Sequence, residues 1–310
     1  MRLVATALAS VLGVVVLAGC GLGAGPTPSA VKLVVTRDFG ARVLPGASPL
    51  KVNGQVTVMS LLTRNYRVAT REAGGFVNSI DGLSGGQEAG APVDWFYFVN
   101  GVEATQGAAQ TNVRSGDHIW WDRHDWSQTE TIPAVVGSFP EPFLNGIEGK
   151  RLPVRVECAS VAGSACHTVA ARLHALHIPA AVAAITTSAA PGSLRVLVAP
   201  WTSTANDLGA QSLEHGPRAS GVYARFSANG QTLTLLDQNG QSVETLRAGA
   251  GLIAATRQGG EPPVWIVTGT DEQGVQLAAR AFDQGTLQDR FAVALGPDGA
   301  TPLPDRTASR

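Results

Sequence analysis

The sequence predicts an α+β protein, with a strand-rich first unit followed by a mixed α/β second unit. Three observations predict it. Between Asp94 and Trp126 the chain carries two strand patterns and a tight-turn signal, and four of its six tryptophans fall there. One amphipathic helix pattern, over residues 57–66, precedes that stretch. From residue 151 onward strand and helix patterns alternate, as they do in α/β units.

The strand around Trp95 is the clearest element. Trp95, Tyr97 and Val99 share one face, and Phe96 and Phe98 share the other. Both faces are apolar, so the pattern predicts a central strand covered on both sides. Asn100-Gly101 follows and suits a tight turn, because both residues accept positive φ. Ser115-Gly116-Asp117 predicts a second turn, and residues 118–121 a closing strand. Upstream, residues 31–36 predict a first strand with a partner near Val43. In the helix, Val58, Leu61 and Leu62 fall on one face, with Thr57 as its cap. Residues 74–82 predict a short strand bounded by glycine.

These residues, taken in order, carry a resemblance. Thr57-Val58-x-x-Leu61-Leu62, Phe76-Val77-x-Ser79-Ile80-x-Gly82, Trp95-x-Tyr97-x-Val99-Asn100-Gly101 and Gly116-Asp117-x-Ile119-x-Trp121 resemble the transcobalamin C-terminal-like domain family of unknown function. The resemblance spans about residues 31–126. It implies a β-grasp-like N-terminal domain, a mixed sheet wrapped around one helix. In the family's animal members this domain closes over cobalamin beside a helical-repeat domain, which has no counterpart in this sequence. The resemblance implies a small flat or ringed ligand, corrinoid-like.

The N-terminus predicts location. Met1-Arg2 is followed by an apolar run over residues 3–17, too short for a comfortable transmembrane helix. Leu17-Ala18-Gly19-Cys20 resembles the bacterial lipobox. It implies a lipoprotein signal peptide at 1–19 and diacylglyceryl and palmitate-type acylation of Cys20. The chain is then held at the cell membrane on its extracytoplasmic face. Residues 20–30, rich in Gly, Pro, Ser and Ala, read as a lipidated tether. A first domain is expected over 31–130, a linker packed along a surface over 131–150, an α/β domain over 151–296 and a loose tail over 297–310. In the second domain, residues 165–176 and 271–282 read as helices, the latter capped by Thr270 or Asp271. Residues 252–257 also read as a helix, and 264–268 as a buried strand.

Charge is near balance, with 23 basic and 24 acidic side chains. No basic patch points to nucleic acid. Cys158 and Cys166 remain after Cys20 is lipidated, and an even number in an oxidising compartment predicts a disulfide. No second Cys or His pair stands at zinc spacing.

Two candidate sites emerge. Trp95, Tyr97, Trp120, Trp121 and Trp126 form an aromatic set that can bind a ringed ligand by stacking, with Asn100 beside them as a polar ligand-binding candidate. Core packing is the competing reading for most of these side chains. His118, Asp122 and His124 would share one face of a strand, near Asp117, and define a metal-site alternative. Its competitor is a polar strand end in which Arg123 neutralises Asp122 or Asp125. The sequence favours non-enzymatic binding of a small ligand or a cell-envelope partner, without a cofactor. An envelope scaffold is the second reading. A metal-dependent hydrolase comes third, since no nucleophile, base and orienter stand together.

Overall fold

A computed structural model describes residues 27–71, 75–185 and 192–306. Cys20, the leader before it and most of the tether lie outside the described residues. Strand β1 (Lys32–Arg37) leads into the short β2 (Arg42–Val43). Helix α1 (Val58–Asn65) starts on a reciprocal cap, in which the Ser60 N–H donates to the Thr57 hydroxyl and the Thr57 N–H to the Ser60 hydroxyl. Strands β3 (Val68–Arg71), β4 (Phe76–Ile80) and β5 (Leu83–Ser84) make a small antiparallel sheet. Strands β6 (Gly86–Glu88), β7 (Ala91–Val99), β8 (Val102–Glu103) and β9 (His118–Asp125) complete the main sheet of this half. Its order is β2-β1-β9-β7-β6, with β8 paired to β7. β9 runs parallel to β1 and antiparallel to β7.

The period-two pattern of β7 sets what each face covers. Trp95 and Tyr97, with Ile119 and Trp121 of β9, bury against Val58, Leu61 and Leu62 of α1. Phe98 and Trp120 point the other way, into a core shared with the second half. Asn100 and Gly101 take φ of 53° and 79° between β7 and β8. At Gly101 a side chain is excluded twice over, because a Cβ there would stand 2.8 Å from the Val135 carbonyl oxygen.

The second half begins with β10 (Val154–Cys158), α2 (Ser164–Ala175), β11 (Ala180–Ala184) and β12 (Leu194–Pro200). The short helix α3 (Trp201–Thr204), a 3₁₀ turn at Gln211–His215 and α4 (Pro217–Ser220) precede a three-stranded antiparallel sheet. That sheet comprises β13 (Ala224–Phe226), β14 (Leu233–Leu236) and β15 (Ser242–Leu246). Then come β16 (Gly251–Thr256), β17 (Val264–Gly269), α5 (Glu272–Arg280), α6 (Gln284–Leu287), β18 (Ala292–Gly296) and β19 (Gly299–Leu303). The large sheet has the order β11-β10-β12-β17-β16-β18-β19, parallel from β11 to β17 and antiparallel beyond. Helices α2 and α5 cover one face, against Val156, Val196, Trp265 and Val267. The other face carries Leu197, Leu252, Ala254 and Ile266, which join the core containing Phe98 and Trp120.

Several expectations change here. Residues 252–257 are not a helix: β16 is buried throughout and paired on both sides, by β17 and β18. A short apolar run fits either state until its neighbours are known. The 131–150 segment does not lie along a surface. Ile132, Val135, Val136, Phe139 and Phe143 are buried, and the Val136 N–H donates to the Phe291 carbonyl. From Gly299 to Asp305 the expected tail is not loose, since β19 pairs with β18 and the Asp305 N–H donates to the Leu236 carbonyl at 2.8 Å. Pro302 is accommodated because β19 is an edge strand. The end of the expected tether is also fixed: Ser29 donates to the Ser115 hydroxyl and accepts from the Gly116 N–H.

Candidate functional site

The polar cluster on β9 is the first place to look for chemistry, and its geometry is that of a structural clamp. Asp38, Phe39 and Gly40 take φ of 62°, 58° and 80°, which turns successive N–H groups inward. The Asp122 carboxylate accepts from the Phe39 N–H at 3.1 Å, the Gly40 N–H at 2.9 Å and the Thr36 hydroxyl at 2.5 Å. His124 Nδ1 lies 2.9 Å from Asp122 Oδ1. The His124 ring is packed against Phe39, Phe96 and Phe291, at centroid distances of 4.7, 4.5 and 5.3 Å.

This corrects the metal alternative. His118 sits four residues from Asp122, about 13 Å along an extended strand. It is buried in a separate environment, where burial above all, and Lys32, lower its pKa to about 4 against a raising hydrogen bond to the Ser138 backbone. Among the described residues no group of three His, Cys, Asp or Glu side chains is placed to hold a metal. Arg123 does not neutralise Asp122 or Asp125. It donates to the Ser84 carbonyl at 2.7 Å and to the Glu88 carboxylate at 2.5 Å.

Two of the six ligand-binding candidates, Asn100 and Trp120, are also structural. Asn100 is fully buried, donating to Asp117 and to the Gly146 carbonyl and accepting from the His118 N–H. Trp120 is fully buried, and its Nε1–H donates to the Thr36 hydroxyl at 2.7 Å. Neither can meet a ligand. Asp117 is a turn residue that accepts from the Arg114 N–H; burial raises its pKa against its hydrogen bonds and the nearby Arg114.

The other four, Trp95, Tyr97, Trp121 and Trp126, line a single open groove of about 840 Å³. Tyr97 and Trp121 stack on one another, with ring centroids 4.8 Å apart. Tyr97 is oriented by its hydroxyl, which donates to the Gln106 carbonyl at 2.6 Å and lies 2.8 Å from the Thr111 hydroxyl. Burial raises its pKa, outweighing the lowering bond with Thr111. The Trp95 indole is fixed by a 3.0 Å bond to the Leu83 carbonyl. The buried Trp121 Nε1–H has no acceptor among the described residues. Met59 and the exposed Phe76 extend the apolar wall, while Asp94, Glu103, Gln106 and Gln110 supply a polar rim. Burial raises the pKa of Glu103 to about 7, although the Ile132 N–H bond pulls it down.

Sequence reasoning singled out the aromatic floor and missed Met59, Phe76 and Glu103. Phe76 had a signal, a large apolar residue next to glycine in a short strand. Glu103 had none, because the N–H that its carboxylate accepts from belongs to Ile132, 29 residues away.

Fold and groove together define an α+β chain with an open aromatic groove on its first half. Residues 55–125 match the model of a family described as Domain of unknown function (DUF4430). That match covers α1 through β9, and so Trp95, Tyr97 and Trp121 of the groove's floor and most of its rim, while Trp126 lies one residue beyond it. No curated protein matches the chain. No helix among the described residues is long and apolar enough to cross a membrane. Cys158 and Cys166 are joined in a disulfide, with Cα atoms 5.9 Å apart.

Proposed function

We propose that this chain is an extracytoplasmic lipoprotein, anchored through Cys20, that binds a small flat or ringed ligand without transforming it. The ligand lies in the groove over Trp95, Tyr97, Trp121 and Trp126. The observation that carries this reading is the convergence of Trp95, Tyr97, Trp121 and Trp126 on one open groove, with Asp94, Glu103, Gln106 and Gln110 as its polar rim. Flat aromatic walls with a few polar groups at the rim suit a ringed ligand, which buries apolar area on the walls while the rim orients it. The groove's size lies within the range usual for small-molecule sites.

The first unit is read as β-grasp-like. The parallel β1–β9 pair, the antiparallel β7 beside it and α1 packed on the Trp95–Tyr97 face support that reading. A corrinoid is therefore the first ligand to test. Calorimetric titration of residues 21–310 with cobalamin and cobinamide should give saturable binding. Trp126→Ala and Phe76→Ala should weaken it several-fold without unfolding the chain, since neither side chain is fully buried. No heat and no fluorescence change at high micromolar corrinoid would remove the corrinoid version. The anchor is tested separately: Cys20→Ala should release the protein from membranes, and unchanged retention would count against it.

A further inference from the structure

The groove does not end at the first half. Its Glu103, Ala104, Thr105, Trp126 and Glu130 also line a second cavity of about 1280 Å³, which reaches Arg218 and Arg257 of the second half. Trp126 thus stands between an aromatic wall on one side and two arginines on the other.

The arginines are placed as anion receptors. Among the described residues neither forms a salt bridge. Arg257 is partly buried, and its guanidinium is steadied by its own loop, with Nε donating to the Glu261 carbonyl at 2.7 Å. Arg218 is exposed on α4. Two carboxyl groups share the cleft. Glu103 is engaged by the Ile132 N–H at 2.9 Å, and Glu130 is exposed. With its pKa near 7, Glu103 carries only part of a charge at neutral pH. A planar guanidinium without a carboxylate partner is suited to a carboxylate or phosphate oxygen pair.

We infer that the ligand carries an oxyanion, a carboxylate or a phosphate, which Arg218 and Arg257 of the second half bind while its ring occupies the groove. This rests on the ring-binding reading above. It gives the second half a role in recognition, with the two halves each supplying one part of a composite site.

Three matched probes test it: 1-naphthyl phosphate, 1-naphthoate and uncharged 1-naphthol, titrated into residues 21–310 by calorimetry. At least one anionic probe should bind about tenfold or more tighter than 1-naphthol, the order expected of charge-assisted hydrogen bonds. Which one does so distinguishes phosphate from carboxylate. The R218Q/R257Q double variant should abolish that advantage and leave 1-naphthol binding unchanged. Trp126→Ala should weaken all three. If the three probes bind alike, or the advantage survives the double variant, the oxyanion inference is overturned and ring binding stands. If none binds, ring binding itself fails and takes this inference with it.

Discussion

Phe291, the residue before β18, packs edge-on against Trp120 of β9, with ring centroids 5.1 Å apart. Phe291 also meets Phe39, Phe98 and His124 at 5.3, 5.6 and 5.3 Å. One side chain of the second half therefore completes the core of the first. Phe291→Ala should cost about 3–5 kcal/mol, the range for a buried aromatic truncation. Because the core is shared, heating should give one calorimetric transition in the wild-type protein. Two well-separated transitions, with only one moved by the substitution, would contradict a shared core.

The Asp122 clamp makes a second prediction. Asp122→Ala strips the acceptor from the buried Phe39 N–H, the half-buried Gly40 N–H and the Thr36 hydroxyl, and it frees the His124 ring. Destabilisation on the order of 3 kcal/mol or more is expected in urea titration. Asp122→Asn should recover part of it, since the amide oxygen still accepts. Zinc or manganese should leave the thermal midpoint of the wild-type protein unmoved. A metal-dependent rise that Asp122→Ala abolishes would restore the metal reading.

What was legible in the sequence was local. The Thr57 cap, the two-faced β7, the Asn100-Gly101 turn and the Asp271 cap are each set by residues within a few positions of one another. What was not legible depends on distant partners. Asp122 looked like a ligand because its real partners, Phe39 and Gly40, lie more than 80 positions upstream. Residues 252–257 looked helical because nothing in their spacing announces β17 and β18 on either side. The 131–150 segment looked like a linker because its prolines are visible, while the carbonyl of Phe291 that pairs with Val136 is not. Of the aromatic set, Trp120 and Trp121 are adjacent in sequence and alike in composition. Only the sheet decides that one faces the shared core and the other the groove.

The disulfide offers a third test. It ties the end of β10 to the first turn of α2 across a sequence separation of eight. A loop of that size corresponds to about 2.5 kcal/mol in the chain-entropy account. Cys158→Ser with Cys166→Ser should lower the urea midpoint accordingly. Alkylation without reduction, read by mass spectrometry, should label neither Cys158 nor Cys166 in the purified protein. Labelling of both would show that the bridge does not form.

Glu103 sets the pH dependence. Burial raises its pKa from 4.5 to about 7 in the folded chain. The folded state therefore holds a proton that the unfolded state releases first. The resulting stability is fully present below pH 4.5 and is lost as pH rises toward 7. The carboxyl is partly exposed, so solvent screening reduces the effect to the order of 2 kcal/mol. Charged groups lining the cavities around it are Arg71, Asp94, Arg114, Glu130, Glu148, Arg218 and Arg257. His118 works in the opposite direction, because its pKa is lowered from 6.5 to about 4 and its contribution is lost as pH falls through that range. The raw profile mixes the two, so the informative quantity is the difference between wild type and Glu103→Gln. The amide keeps an acceptor for the Ile132 N–H and cannot ionise. Urea titrations from pH 4 to 8 should show the variant gaining on the wild type as pH rises. A constant difference across that range would place the Glu103 pKa at its ordinary value and remove the claim that this carboxyl is partly neutral in the cleft.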